Sequence, residues 1–435
     1  MATITVDGAL TQIGTGRFQW RLLFIFGLVW TADAMQVLAI GLTAAPIAKT
    51  FGVTVPEALQ TGTWFFLGMM VGAWGFGQLA DRYGRRTVLI VTVLCDAVFG
   101  LASAAAPDLF WLCVLRFFTG AAVGGTLPVD YALMAEFLPP QRRGRWLVGL
   151  EGFWAIGTLI VIVAGWLLAD STDPWRWLFI VTGAPAVIGL FLRLWIPESP
   201  YHLSRRGDGG GARAVLEKIA RMNGRALAPG EVVTEVRRRP PFWELFRPDL
   251  LRISVMIFLV WFLVSAAYYG VFVWLPIELA KGGYAFVRGT DFLIWLALAQ
   301  LPGYALAAVL VERIGRRRTL LAFLVLSALG CFLFTEADST TMVAASLLLM
   351  SFSLLGTWGA MYAYTPELYP TELRGTGMGT AGAMARIGGL LAPLAIPSIV
   401  AISFATAIGL FAALLVAGAV AALLIPTETR AKPLT

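Results

Sequence analysis

The chain has 435 residues, of which 58% are hydrophobic and 14% charged, with a mean hydropathy of +0.78. A soluble domain carries about 25% charged residues, so composition excludes a water-soluble globular enzyme and points to a protein of the bilayer. The net charge of +7 would suit a nucleic-acid binder, but the basic residues sit in short segments between apolar runs, where membrane topology accounts for them.

Apolar stretches of about 20 residues, the length a helix needs to cross a bilayer, fall at 22–49, 60–80, 87–106, 108–134, 147–170 and 176–196. Six more follow at 252–279, 290–311, 319–336, 340–365, 375–401 and 402–425. The pattern predicts an all-α membrane protein with twelve transmembrane helices in two pseudo-symmetric six-helix bundles, 1–196 and 252–435, joined by a basic link over 197–251. A transmembrane β-barrel would show alternating segments of about 10 residues, and the continuous apolar runs exclude it. The first stretch is too long and too polar within for a cleavable signal, so it is expected to stay attached.

The arginines set the orientation, because short cytoplasmic loops retain Lys and Arg. Arg82, Arg85 and Arg86 lie between stretches two and three, Arg142, Arg143 and Arg145 between four and five, and Arg313, Arg316, Arg317 and Arg318 between eight and nine. These loops, the link and both termini are expected on the cytoplasmic side of a cell (inner) membrane.

Two of these loops repeat each other. GQLADRYGRRT at 77–87 returns in VERIGRRRT at 311–319, with Asp81 answered by Glu312, Gly84 by Gly315 and Arg85 by Arg316. EFLPPQRRG at 136–144 returns as ELYPTELRG at 367–375, pairing Glu136 with Glu367 and Arg143 with Arg374; 312 minus 81 and 374 minus 143 both give 231. The chain is two copies of one unit.

Two six-helix units, a long basic link and the GxLADRxGRR loop after the second helix of each unit resemble the major facilitator superfamily, over nearly the whole chain. The resemblance implies alternating access, with the loop motif as a cytoplasmic latch. Asp81 can accept from the N-terminus of a helix in the other half or from an arginine, and the arginines can pair across the seam. Glu136 with Arg143, Glu367 with Arg374, Glu198 of PESP and Glu428 of PTETR extend the set, which resembles the charge network of sugar porters and organic-ion carriers. The gate is thus assigned to Asp81, Arg85, Glu136, Arg143, Glu198, Glu312, Arg316, Glu367, Arg374 and Glu428. Topology alone would require only the arginines; the acids recur at the same offset, which favours a latch over solvated loop charges.

Residues 16–37, GRFQWRLLFIFGLVWTADAMQV, resemble the synaptic vesicle glycoprotein 2 family and bacterial niacin carriers, in which an acid lies inside the first helix. Here that acid is Asp33. The acid of the pattern three residues later is Gln36 in this chain, a departure that removes one proton or cation site; Asp33 and Gln36 are both expected among the substrate-binding residues. Residues 120–157, including Trp154, resemble the same group. AAYYGVFVWLP with Tyr268 and Tyr269, and AMARIGGLLAP with Arg386, resemble the organic anion carriers of the solute carrier 22 family, where an arginine at this place implies an anionic substrate.

Physics supports that implication. A charge at mid-membrane costs roughly 2.5–3.5 kcal/mol on insertion scales, and Arg386 falls about halfway along a helix beginning near Gly375. Its counterpart at the repeat offset is Ala155, next to Trp154. A guanidinium grips a carboxylate through two parallel hydrogen bonds and aromatic walls suit a flat ring, so a small aromatic monocarboxylate satisfies both; the alternative is a fixed ion pair with an intramembrane acid. Trp358, Tyr362 and Tyr131 are further wall candidates, although most aromatics of such a chain face lipid or pack. Asp33, Asp130 and Glu151 are the carboxylates that can load a proton when desolvated. Asp33 is the first choice, and would also reach the ring nitrogen of a pyridine carboxylate. Gly120 and Gly124 after Arg116 are read as helix-packing residues, with Arg116 either snorkelling to the interface or serving proton transfer.

The expected function is secondary active transport of a small organic anion such as nicotinate by proton symport, with an organic cation or zwitterion carrier, or a drug exporter, using Asp33 as the alternative. A receptor that keeps the fold without transport has little need of state-dependent ion pairs. No hydrolytic triad, phosphate-binding loop or metal motif appears: Cys95, Cys113 and Cys331 have unrelated spacings and His202 is the only histidine. Neither enzyme activity, a cofactor, a metal nor a nucleic-acid partner is expected, and the chain is read as a monomer.

Overall fold

A computed structural model of the chain describes residues 3–193, 195–233, 240–274, 287, 289–402 and 404–430. Among the described residues twelve long helices follow in order. The first six are α1 (Arg17–Phe51), α2 (Gln60–Tyr83), α3 (Arg85–Ser103), α4 (Leu109–Ala135), α5 (Arg143–Leu167) and α6 (Pro174–Arg193). The second six are α7 (Pro248–Tyr269), α8 (Thr290–Arg313), α9 (Arg316–Thr335), α10 (Thr340–Tyr364), α11 (Arg374–Ile402) and α12 (Phe404–Leu424). Local chemistry sets several ends: Asp108 accepts from Trp111 N–H to start α4, Ser339 from Met342 N–H to start α10, and Gly52 closes α1 in the left-handed region.

The packing repeats as the sequence does. In the first bundle α4 packs on α2 and α3, α1 on α5 and α6, and α3 on α6. Shifting each helix number by six gives α10 on α8 and α9, α7 on α11 and α12, and α9 on α12, all of which are present. The seam between bundles obeys the same exchange, with α2 against α11 and α5 against α8, then α4 against α11 and α5 against α10. A pseudo-two-fold axis therefore runs through the centre of the molecule.

Without a hydrophobic drive between helices in lipid, close approach depends on small side chains. A Cβ on Gly120 would lie 2.0 Å from the Phe65 carbonyl oxygen and one on Gly72 would lie 1.9 Å from that of Ala121, so the backbones of α2 and α4 touch.

At the arginine-rich end the link folds as short helices, Pro200–Arg205 and Gly209–Met222, with a 3-10 turn at Phe242–Phe246. An N-terminal helix, Val6–Ile13, joins it, and Thr3–Ile4 pairs in parallel with Glu231–Val232 of the link.

Candidate functional site

A narrow cavity of about 20 Å³ lies between the bundles, far below the size range of small-molecule sites, so its walls are closed onto one another in this arrangement and must part to admit a ligand. Six helices contribute to it: Trp30 from α1, Glu151 and Trp154 from α5, Tyr268 and Tyr269 from α7, Tyr304 from α8, Leu355, Trp358 and Tyr362 from α10, and Arg386 from α11. A larger cleft at the arginine-rich end is lined by latch residues such as Asp81 and Arg85. The central cavity is distinguished by enclosed aromatic walls holding one buried acid and one buried base.

Arg386 is 4% exposed and donates to the Tyr269 hydroxyl at 3.2 Å. Its Nε has no hydrogen-bond partner, and no ion pair joins Arg386 to a carboxylate among the described residues. Glu151, 2% exposed, accepts from the hydroxyls of Tyr131 at 3.0 Å and Tyr304 at 3.1 Å. The indole N–H of Trp358 is also buried without a partner. Unsatisfied buried donors are costly, and with the Trp30 indole N–H three of them belong to the lining of one cavity, which marks it as a place where an acceptor belongs.

The aromatic wall sits on the pseudo-two-fold axis. Tyr131 and Tyr362 differ by 231 and their rings pack at a tilt of 32° with centroids 4.4 Å apart. Trp30 and Trp261 differ by the same amount, and each packs edge-on against the tyrosine of its own half, Trp30 on Tyr131 at 5.1 Å and Trp261 on Tyr362 at 4.7 Å. The charges break this symmetry: Glu151 corresponds to Gly382 and Arg386 to Ala155.

Of the residues singled out in the sequence, Arg386, Trp154, Tyr268, Tyr269, Trp358, Tyr362 and Glu151 line the cavity together. Asp33, Gln36 and Asp130 do not, although all three are fully buried. The reason is clearest for Gln36, whose side-chain and backbone oxygens accept from Arg116 at 2.6 and 3.0 Å. Arg116 does not snorkel: it is fully buried with its guanidinium over the rings of Phe65 (4.5 Å) and Phe179 (4.7 Å), and Asp96 of α3 supplies an opposing charge. This turns Gln36 into the first bundle, away from the substrate cavity expected for it. Trp30 and Tyr304 were not anticipated; the repeat offset linking Trp30 to Trp261 is the signal that finds the former.

The arginine-rich end carries the second cluster. Asp81 accepts from Thr376 N–H (2.7 Å), Thr376 Oγ1 (2.8 Å) and Gly375 N–H (3.2 Å), capping α11 across the seam, and also from Arg85 at 3.0 Å. Its repeat mate Glu312 accepts from Arg145 N–H at 2.9 Å, in the first turn of α5. Gly84 and Gly315 have φ of +101° and +100°, and a Cβ on either would run into the glutamate beside it, Glu198 or Glu428, at 2.4 and 2.5 Å. Those glutamates accept from the opening N–H groups of α3 and α9, where the helix dipole favours an anion.

The arginine–glutamate pairs are not the ones expected within each loop. Glu136 pairs instead with Arg374 of the other half at 2.8 Å and with Arg85 at 3.4 Å, all three side chains being buried. Glu367 is taken by Arg316 at 2.9 Å and by the Thr429 hydroxyl at 2.6 Å. Arg143, left without Glu367, pairs with Asp7 of the N-terminal helix at 3.3 Å, and Tyr201 of the link donates to the same carboxylate at 2.5 Å. The sole histidine joins the cluster, its Nδ1 lying 3.1 Å from Arg85. Burial would raise the Glu136 carboxyl, but Arg85 and Arg374 together outweigh it and hold the group below its usual range. For Glu198 burial wins and the carboxyl is raised.

The profile of the sugar (and other) transporter family matches residues 54–435. The chain is 36% identical to the niacin transporter of Acinetobacter baylyi, covering 98% of each protein, and 34% identical to the putative niacin/nicotinamide transporter of Bacillus subtilis, covering 95% of this chain and 97% of the relative. It is 30% identical to the synaptic vesicle 2-related protein of Xenopus laevis over 99% of this chain and 82% of that protein. Among solved structures the proton:xylose symporter of the major facilitator superfamily superposes with a TM-score of 0.78 at 19% identity, covering 96% of this chain and 97% of that one.

Proposed function

The chain belongs to the sugar (and other) transporter family of the major facilitator superfamily, and from that premise we propose that it carries a small organic anion, an aromatic monocarboxylate such as nicotinate, by proton symport across a cell (inner) membrane. The observation that supports this most is Arg386: a buried guanidinium with an unpartnered Nε, facing an aromatic cavity, with no carboxylate paired to it among the described residues. Its side chain offers the parallel donors a carboxylate takes, and Trp154, Tyr268 and Trp358 supply faces and edges for a ring. The resemblance to niacin transporters points the same way.

In this reading substrate binds between the bundles and the bundles rock about it. The arginine-rich end, with both termini and the link, faces the cytoplasm and its ion pairs must break for the site to open there. Glu151 is the coupling carboxylate, because it alone of the three candidates lines the cavity. A cation carrier built on Asp33 has less support, since Asp33 is outside that lining.

The test is uptake of labelled nicotinate and benzoate into proteoliposomes, with and without an inward proton gradient, by wild type and Arg386→Ala. Saturable, gradient-driven uptake that falls by about 100-fold in the variant is the expected outcome, the equivalent of losing roughly 3 kcal/mol of charge-assisted hydrogen bonding. Uptake indifferent to Arg386 would overturn the carboxylate assignment.

A further inference from the structure

We propose that Glu151 reads the nitrogen-bearing edge of the substrate ring while Arg386 holds the carboxylate, so that the cavity selects single-ring acids bearing a ring nitrogen over their all-carbon counterparts. The inference rests on Arg386 as the carboxylate site and goes beyond it by naming what the other pole of the cavity recognises.

Three observations converge. First, the acid and the base each stand opposite a Gly or Ala in the repeat, and Trp154, Tyr268, Tyr269, Tyr304 and Trp358 of the lining also have no aromatic counterpart, so these groups belong to this site and not to the shared scaffold. Second, Glu151 and Arg386 line one cavity without pairing: both are buried, neither side chain is within 4.0 Å ion-pair distance of the other, and each is held by tyrosines instead. Third, two hydroxyls donate to Glu151, one on each oxygen, and the Trp30 indole faces the same carboxyl. Each carboxyl oxygen retains a second lone pair or, in the acid form, the carboxyl holds one O–H donor.

A ring nitrogen completes that arrangement. With Glu151 as the acid, its O–H donates to the nitrogen lone pair; with the proton moved across, a pyridinium N–H donates to the carboxylate. Both forms contain one proton between one oxygen and one nitrogen, so substrate and proton load together. Benzoate offers only a C–H at that edge and leaves the buried carboxyl group short of a partner, which is the kind of mismatch that hydrogen-bonding sites reject strongly. The titratable and charged groups facing Glu151 are Tyr131 on α4, Tyr268 on α7, Tyr304 on α8, Tyr362 on α10 and Arg386 on α11. Among the described residues lining the cavity Glu151 is the one carboxyl group, and it is the group whose proton a gradient would load.

The experiment measures affinity of purified protein for nicotinate and benzoate between pH 5.5 and 8, in wild type, Glu151→Gln and Glu151→Met. Wild type is expected to prefer nicotinate by about 10- to 100-fold, the range of one good buried hydrogen bond. Glu151→Gln keeps an N–H donor for the ring nitrogen, so it retains the preference while binding loses its pH dependence. Glu151→Met removes the donor and brings the two acids within a few-fold of each other. Equal wild-type affinity for the two acids, or a preference that survives in Glu151→Met, overturns the inference while leaving the carboxylate site at Arg386 standing. If wild type binds neither acid, the carboxylate reading fails and this inference fails with it.

Discussion

Glu136 and Arg374 meet at 2.8 Å with neither side chain exposed. Removing one member of such a pair typically costs 3–5 kcal/mol, because the survivor is left charged and desolvated; here that cost falls on the closed arrangement of the seam and not on an open one where the survivor meets water. Glu136→Gln is therefore expected to shift the population toward an opened arginine-rich end, read as a longer distance between spin labels at the exposed pair Tyr83 and Ile314. Acidity acts on the same equilibrium through Glu198. Its carboxyl is raised in the closed arrangement by burial, so its proton-linked contribution to closing is complete below the usual glutamate range and is lost as pH rises through the raised value. The closed population of wild type should grow as pH falls toward 5, and Glu198→Gln should remove that increment; an unchanged slope would assign it elsewhere. Glu136, held below the usual range by its arginines, is ionised throughout that window and adds nothing to the slope.

The helices themselves were legible because each spans a bilayer-length apolar run bounded by arginines or caps: the stretch placed at 340–365 is Thr340–Tyr364, and that at 375–401 is Arg374–Ile402. Which face of a helix looks where was less legible, since a helix buried in a bundle and also bathed in lipid is apolar all round and its periodicity is weak. The polar residues Asp33 and Gln36 therefore stand out in the sequence as cavity candidates, whereas Trp30, on the same helix, is the residue that lines it. Glycine spacing does survive as a face marker. A leucine at Gly120 would drive its side chain into the Phe65 carbonyl, 2.0 Å from the first added carbon, and overpacking of this kind costs about 3 kcal/mol at the upper end of its usual range. Gly120→Leu is expected to lower the unfolding temperature in detergent and the yield of monodisperse protein. Gly75→Leu, at a position with open space beside it, serves as the tolerated control on α2.

For the whole molecule, the repeat specifies a scaffold and its exceptions specify the work. Helix contacts, the Tyr131–Tyr362 pair, the Trp30–Tyr131 and Trp261–Tyr362 edges and the two capping acids all have images across the axis. The Glu136–Arg374 pair has none: its image would join Arg143 to Glu367, but Glu367 is occupied by Arg316 and Thr429, and Arg143 turns to Asp7. The N-terminal segment thus completes the ion-pair network at the one place where the repeat leaves an arginine unmatched, and it is tied there by the Thr3–Ile4 strand pairing and by Tyr201. No offset in the sequence could show this, because Asp7 lies before the first repeated unit. Asp7→Asn keeps the shape and removes the charge, leaving Arg143 buried beside carbonyl oxygens alone. The variant should exchange amide hydrogens faster at residues 3–13 and 231–232 and should populate the opened arginine-rich end more than wild type, with affinity of the central cavity unchanged once the closed fraction is accounted for. Exchange that stays at the wild-type rate would mean the strand pairing alone anchors the segment, and the asymmetry at Arg143 would then be packing without a part in the gate.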